Sequence, residues 1–229
     1  MIPFTEIIWD LVTWTPFLAG GFAMNILISL VAMTIGTSLG WIIANMRLAT
    51  SPRTYRASLY LTEITRNIPT FVFLFYLAFM LPGEFTVPFT ASIVGFPSWL
   101  KASLALSIAV IGFCSDNLSP AIREWRKGDH GVALLFIPSW TSYALIIVMA
   151  SSTASVIGVS ELVSRCNTVI NATGKTQIML PVYLYACVFF VGFCYPLNIL
   201  MKHLKSVIGR RLRETAYRGT PSVSSISGG

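Results

Sequence analysis

Long apolar runs separated by short basic segments dominate this sequence and constrain its fold more than any other feature. Five of the runs approach or exceed the roughly 20 residues that a membrane-spanning helix needs. They cover residues 21–46, 57–81, 99–114, 132–150 and 179–201. Only 11% of the residues are charged, against about 25% in a soluble domain. The sequence therefore predicts an all-α membrane protein with five transmembrane helices, and it excludes most soluble enzymes.

Positively charged side chains follow every second predicted span. They cluster after the first, third and fifth spans, as Arg47, Arg53, Arg56, Arg123, Arg126, Lys127, Lys202, Lys205, Arg210, Arg211, Arg213 and Arg218. Because cytoplasmic loops carry the excess of lysine and arginine, we expect the N-terminus outside and the C-terminus in the cytoplasm, with an odd number of spans. The net charge of +7 then reflects membrane topology and not nucleic-acid binding.

The segments outside the spans predict a simple domain organisation. Residues 1–20 carry Trp9 and Trp14 among aliphatic residues, which predicts a periplasmic interfacial segment. Residues 21–213 form the five-helix transmembrane domain, and the Ser/Gly-rich residues 214–229 predict a disordered cytoplasmic tail. The four cysteines form no CxxC pair, so we expect no disulfide and no metal site. No nucleotide-binding loop or nucleophile–base pair is recognisable, so we expect no enzymatic activity and no cofactor.

Several short motifs occur in an order that is typical of one transporter family. They are Gly36-Thr-Ser-Leu-Gly40, Tyr60-Leu-Thr-Glu63-Ile-Thr-Arg66-Asn-Ile-Pro69, Leu104-Ala-Leu-Ser107 with Phe113-Cys-Ser-Asp116, and Ala154-Ser-Val-Ile-Gly158-Val-Ser-Glu161-Leu162. Together with the basic end of the fifth span, they resemble the permease subunit of a bacterial ABC importer of the polar amino-acid family, the histidine/glutamine/arginine type. The second and fourth motifs are fairly specific in combination, whereas a lone Gly-x-x-x-Gly is common in membrane helices.

The resemblance implies a fold, a function and a set of partners. The fold would be that of an ABC importer permease in the bacterial inner (cytoplasmic) membrane. The function would be import of an amino acid, or of an amino-acid-like solute such as an opine, driven by ATP that other subunits hydrolyse. The partners would be a second permease subunit, two ATP-binding subunits, a periplasmic solute-binding protein and membrane lipid.

Charged residues inside the second span are the first candidates for the substrate path. Glu63 and Arg66 lie three residues apart on one helix face, and Arg66 lies about 14 Å into the span. A charge there costs at least about 2.5–3.5 kcal/mol, so we expect Arg66 to face protein or a polar cavity. Arg66 either forms an ion pair with Glu63 or contacts a substrate carboxylate, and one pair can do both.

Pro69 predicts an interruption of the same span. It removes one helical hydrogen bond and clashes with the carbonyl of Thr65. Broken helices expose polar backbone to the solute in many transporters, so Asn67 and Pro69 join the substrate-path candidates. A kink that serves only helix packing explains the proline equally well.

Three further residues complete the candidate substrate path. Asp116 occupies the position of a glutamate in the family motif, or it pairs with Arg123 or Arg126 as a helix-end residue. Ser152 and Thr153 belong to a run of small polar residues after the fourth span. Such residues allow close helix packing, or they form an outer gate.

The segment between the third and fourth spans departs from the family pattern. The family has an E-A-A-x-x-x-G loop that docks into the ATPase, and about 20 residues of it are missing here. An interfacial anchor on anionic lipid also fits this segment. We therefore consider, as an alternative function, a degenerate permease that scaffolds or regulates a partner. We also consider an ion-coupled transporter, which the lack of an inverted repeat disfavours. The candidates for ATPase coupling are Arg123, Glu124, Arg126, Lys127 and Asp129.

Overall fold

The computed structural model describes residues 4–86 and 93–219, and this part of the chain is almost entirely helical. One antiparallel hairpin joins β1 (Glu84–Thr86) to β2 (Ile93–Gly95). Two short 3₁₀ segments cover Ser151–Ile157 and Thr176–Ile178. The helices are α1 (Phe4–Arg47), α2 (Pro52–Asn67), α3 (Thr70–Met80), α4 (Ser98–Arg126), α5 (His130–Leu134), α6 (Phe136–Ala150), α7 (Leu162–Thr173) and α8 (Met179–Gly219).

Four segments of the described chain are long and apolar enough to cross a membrane. They are Thr5–Arg47, Ser98–Arg126, His130–Ile157 and Thr176–Arg210. The predicted second span is instead two helices, α2 with 16 residues and α3 with 11. Because a crossing needs roughly 20 residues, neither helix crosses alone. The five-span count and the periplasmic N-terminus therefore stay predictions.

Two predicted domain boundaries do not coincide with helix ends. Helix α1 runs without a break through residues 20 and 21, where the interfacial segment was expected to end. Helix α8 continues to Gly219, so the expected start of the tail at residue 214 falls inside a helix. Residues 1–3 and 220–229 lie outside the described residues.

Close packing of α1 against α4 forms the main core. A Cβ atom at Gly36 would lie 2.4 Å from the Cβ of Val110, and one at Gly40 would lie 2.5 Å from the Cβ of Cys114. Real Cβ atoms essentially never approach other atoms so closely, so both positions require glycine. Small residues permit such close backbone approach between membrane helices. The glycine motif of the sequence therefore lies at a helix contact.

A buried polar cluster joins α1 to the start of α7. The Asn25 side chain donates hydrogen bonds to Ser151 Oγ at 2.9 Å and to Glu161 Oε2 at 3.0 Å, and its Oδ1 accepts one from the Leu162 N–H at 3.1 Å. Glu161 accepts bonds from the N–H groups of Val163 and Ser164. Its carboxylate therefore caps the N-terminus of α7, where negative charge is favourable.

Candidate functional site

A helix break at Ile68 and Pro69 positions the candidate site. Ile68 has φ −85° and ψ 125°, the extended conformation that a following proline imposes. Helix α2 ends at Asn67, and α3 begins at Thr70. The interruption expected from Pro69 is therefore present, and it places the C-terminal turn of α2 beside α4.

Arg66 forms its ion pair with Asp116 of α4. The second Asp116 oxygen, Oδ1, accepts a hydrogen bond from Arg47 Nη1 at 2.7 Å. One carboxylate thus bridges the end of α1 and the end of α2. The two guanidinium groups differ in environment, because the Arg47 side chain is 15% exposed and that of Arg66 is 62% exposed.

The predicted ion pair between Glu63 and Arg66 is wrong. Glu63 is exposed, and it forms no ion pair with any residue whose side chain the structure describes. Residues three apart share a helix face, but Asp116 offers its carboxylate on the side where α2 packs against α4. Arg66 therefore pairs with the carboxylate of the neighbouring helix and not with Glu63.

The predicted pairing of Asp116 with Arg123 or Arg126 is also wrong. Helix α4 continues without interruption through Pro120 to Arg126. At 1.5 Å per residue, Arg123 and Arg126 therefore lie about 10 and 15 Å further along the helix axis. Arg126 instead donates to Asn45 Oδ1 at 3.2 Å.

Arg47 reaches back along α1 to join this cluster. A Cβ atom at Gly40 would contact Cys114 and Ser115, so Asp116, one residue further along the parallel helix α4, lies roughly 8 Å inside the C-terminal end of α1. Arg47 Nη2 also donates to Thr62 Oγ1 at 2.6 Å, while its Nε is buried without a hydrogen-bond partner in the described residues. From the sequence, Arg47 indicated only the topology, because an arginine after a span gives no sign of its partner.

Arg66 and Asp116 line one cavity beside the helix break. Its volume is about 380 Å³, which lies within the usual range for small-molecule sites. The ring of Phe113 stacks on that of Tyr143 at a centroid distance of 4.0 Å and forms one wall. The full lining consists of Thr65, Arg66, Ile68, Thr70, Ala109, Phe113, Asp116, Asn117 and Tyr143.

The structure brings together only some of the predicted substrate-path residues. Asn67 and Pro69 are exposed and adjoin the cavity in sequence without lining it. The hydroxyl groups of Ser152 and Thr153 each donate at 2.8 Å to a carbonyl of the preceding helical turn, and neither residue lines the cavity. Thr65 and Asn117 are additional polar lining residues that were not among the predicted substrate-path residues.

The charge arrangement favours a negatively charged group in the cavity. Asp116 is shared between two arginines, so the three side chains carry a net charge of +1. Arg66 Nη1 donates to Asp116, and the Arg66 side chain is 62% exposed, which leaves guanidinium donors available. A guanidinium matches the planar geometry of a carboxylate and binds it through two parallel hydrogen bonds.

The predicted coupling residues cluster where α4 ends. Lys127 Nζ forms an ion pair with Glu124 Oε1 at 2.7 Å, and Asp129 Oδ1 accepts a bond from the Val132 N–H at 3.2 Å. Only the three residues 127–129 separate α4 from α5, which itself has five residues. Gly128 has φ +92° in this turn, a conformation that favours glycine. The connection is therefore a tight turn and contains no protruding helical hairpin.

Comparison with known proteins identifies the fold. No protein-family model matches the sequence. The chain is similar to a crystal structure of an amino acid ABC transporter with histidines, with a TM-score of 0.67 at 17% sequence identity. The match covers 92% of this chain and 99% of that chain. The predicted all-helical ABC permease fold is therefore confirmed, whereas the number of spans and the orientation of the termini stay predictions.

Proposed function

We propose that this chain is a transmembrane subunit of an ATP-driven importer of amino acids or amino-acid-like solutes such as opines. The observation that carries the proposal is the cavity in which Arg66 lies beside the break between α2 and α3. A cation within the membrane is costly unless it faces protein or a polar cavity. Such a residue therefore marks a candidate substrate path. In this proposal the exposed donors of Arg66 bind the carboxylate of the solute, and Asp116 holds the arginine in place.

The proposed complex has the general composition of ABC importers. A second permease subunit completes the translocation path, two ATP-binding subunits hydrolyse ATP, and a periplasmic solute-binding protein delivers the solute. This chain performs no chemical reaction. Closure of the ATP-binding subunits rocks the two permeases around the cavity and exposes it alternately to each side. The proposed location is the bacterial inner membrane.

The coupling of this chain to an ATPase is proposed to be small. Its contact is centred on residues 123–131 and on the basic C-terminal part of α8, because the turn after α4 offers no longer element. The partner permease then carries most of the coupling. Single cysteines at Lys127 and Asp129 test this by cross-linking to each ATPase copy. The proposal is contradicted if these sites cross-link to the ATPase as efficiently as matched sites in the partner permease's loop.

One observation favours a second candidate function. The short connection between α4 and α6 fits a degenerate permease that only scaffolds or regulates its partner. The costly charge cluster around Asp116 argues against this candidate, since a scaffold has no need of a solvent-accessible arginine within a span.

Filling the cavity separates the two candidates. The experiment measures ATP-dependent uptake of labelled amino acids and an opine by proteoliposomes that contain the whole complex, purified through a tag on this chain. Ala109→Trp fills the cavity, and Ala57→Trp adds the same bulk at an exposed position of α2. If this chain forms the path, only Ala109→Trp abolishes uptake, with all subunits still co-purifying. Unchanged uptake in both variants supports the scaffold.

A further inference from the structure

A groove at the basic end of the molecule is separate from the Arg66 cavity. It lies between the C-terminal parts of α1 and α4 and the start of α6, and its volume is about 370 Å³. Its walls are largely aromatic and aliphatic, and its polar groups are Asn45 and Arg126. The apolar residues most relevant to its occupant are Trp41, Leu118, Ile122, Trp125 and Phe136.

Two tryptophans mark the open side of this groove. Trp41 is 55% exposed and Trp125 is 53% exposed. Tryptophan is enriched where membrane helices meet the headgroup region, because its ring is apolar and its N–H is polar. Two exposed tryptophan rings at its mouth are therefore typical of a groove that opens at the level of the headgroups.

The charges around the groove are unbalanced in favour of cations. Arg126 donates to Asn45, a neutral side chain, and retains further N–H donors. Among the side chains that the structure describes, neither Arg123 nor Arg126 forms an ion pair. The nearby carboxylates are occupied, because Glu124 pairs with Lys127 and Asp129 caps α5.

We propose that this groove binds one anionic phospholipid. The phosphate contacts the Arg126 guanidinium at the mouth, and an acyl chain lies along the wall formed by Leu118, Ile122 and Phe136. Charge complementarity selects the lipid, since basic pockets between membrane helices bind anionic headgroups. A zwitterionic lipid offers the same acyl chain without the net negative charge.

The test is native mass spectrometry of the full chain, purified and delipidated in detergent. The chain is titrated with phosphatidylglycerol or with phosphatidylcholine that has the same acyl chains. Tighter binding of phosphatidylglycerol is expected. Arg126→Gln removes the cation from the groove, and its exposed side chain can change without disturbing the fold. In this variant the ratio of the phosphatidylcholine dissociation constant to that of phosphatidylglycerol should fall about fivefold. This corresponds to about 1 kcal/mol for one cation near an anionic headgroup.

Arg123→Gln is the matched control, because Arg123 lies one turn earlier on α4, is equally charged and exposed, and does not line the groove. This variant should retain the preference. A second variant, Ala121→Trp, fills the groove and should abolish binding of both lipids at the site. The proposal is overturned if the two lipids bind equally, if Arg126→Gln matches the wild type, or if Arg123→Gln loses as much as Arg126→Gln.

Discussion

Arg66 on α2 pairs with Asp116 on α4, 50 residues further along the chain. The same carboxylate holds Arg47 of α1, so three helices meet at one acidic side chain. A carboxylate between two cations leaves the more exposed one, Arg66, with donors that face the cavity. The contact therefore both orients the arginine and keeps it available to a solute.

Replacing Asp116 should destabilise the bundle more than replacing Glu63. Asp116→Asn leaves Arg47 without its charged partner, and Arg47 is mostly buried. The expected loss is about 1.5–3 kcal/mol, the range for hydrogen bonds to charged groups. It is smaller than the ~3–5 kcal/mol of a fully buried pair, since Arg66 is 62% exposed. Unfolding of the purified chain in detergent by chemical denaturant measures the difference.

Glu63→Gln is the control for that experiment. Glu63 is exposed and lies outside the cavity lining, so its stability change should stay within about 0.5 kcal/mol. Equal losses for Asp116→Asn and Glu63→Gln would show that Glu63 also supports the cluster.

The contact between α1 and α4 should tolerate no side chain at Gly36. In Gly36→Ala the new methyl group would meet Val110 Cβ at 2.4 Å and the Ser107 carbonyl oxygen at 2.7 Å. Overpacking of this kind typically costs about 1–3 kcal/mol. Gly192→Ala on α8 is the matched control, because nothing lies within 4 Å of its added Cβ. Denaturation in detergent should separate the two variants, and similar midpoints would contradict the tight helix contact.

The helical architecture could be predicted from the sequence because its determinants are local. Apolar runs near 20 residues long predict membrane helices, and Pro69 predicts an interruption from its missing N–H and its steric clash. Gly36 and Gly40 belong to a motif that is common in membrane helices, and their close contact with α4 became visible only in the fold.

The partners of the charged residues could not be predicted. Helix periodicity places Glu63 beside Arg66 on one face, but it contains no information about which face of α4 presents Asp116. Arg47 follows a span, as do the other arginines that indicate the cytoplasmic side. Nothing in its sequence position distinguished it from them. Asn25 is a comparable case, since its buried bond to Glu161 joins residues that are 136 positions apart.

Asn25 should be essential for the junction between α1 and α7. Asn25→Leu removes the amide that bonds Ser151 and Glu161 and leaves the buried Glu161 carboxylate with fewer partners. Each buried polar group left unsatisfied costs about 1–3 kcal/mol. Thr34→Val serves as the control, because the side chain of the exposed Thr34 donates to the Leu30 carbonyl of its own helix. Thermal unfolding in detergent should show a large loss for Asn25→Leu alone, and equal losses would contradict the role of the cluster.

The contact of Lys175 with the start of α1 should weaken only at strongly alkaline pH. Lys175 Nζ lies 2.6 Å from Glu6 Oε1 and 3.2 Å from Asp10 Oδ2. Hydrogen bonds to Glu6, and then to Asp10, raise the pKa of the Lys175 ammonium above its ordinary 10.5. A raised pKa means that the stabilisation is fully present below pH 10.5 and is lost as the pH rises through the folded-state pKa.

The melting temperature of the wild type minus that of Lys175→Met, measured from about pH 8 to pH 12, checks this pH dependence. The difference should be constant up to about pH 10 and then shrink. A difference that disappears below pH 10 would show that another group controls the contact.

The most direct test of the account is ATP-dependent solute uptake by the reconstituted complex that carries Arg66→Gln. Arg56→Gln is the control, since Arg56 is an exposed arginine of the same helix that does not line the cavity. Arg66→Gln should abolish uptake or reduce it at least tenfold, corresponding to about 1.4 kcal/mol or more, while every subunit still co-purifies. Arg56→Gln should transport normally. Normal uptake by Arg66→Gln would contradict the claim that Arg66 lies on the substrate path.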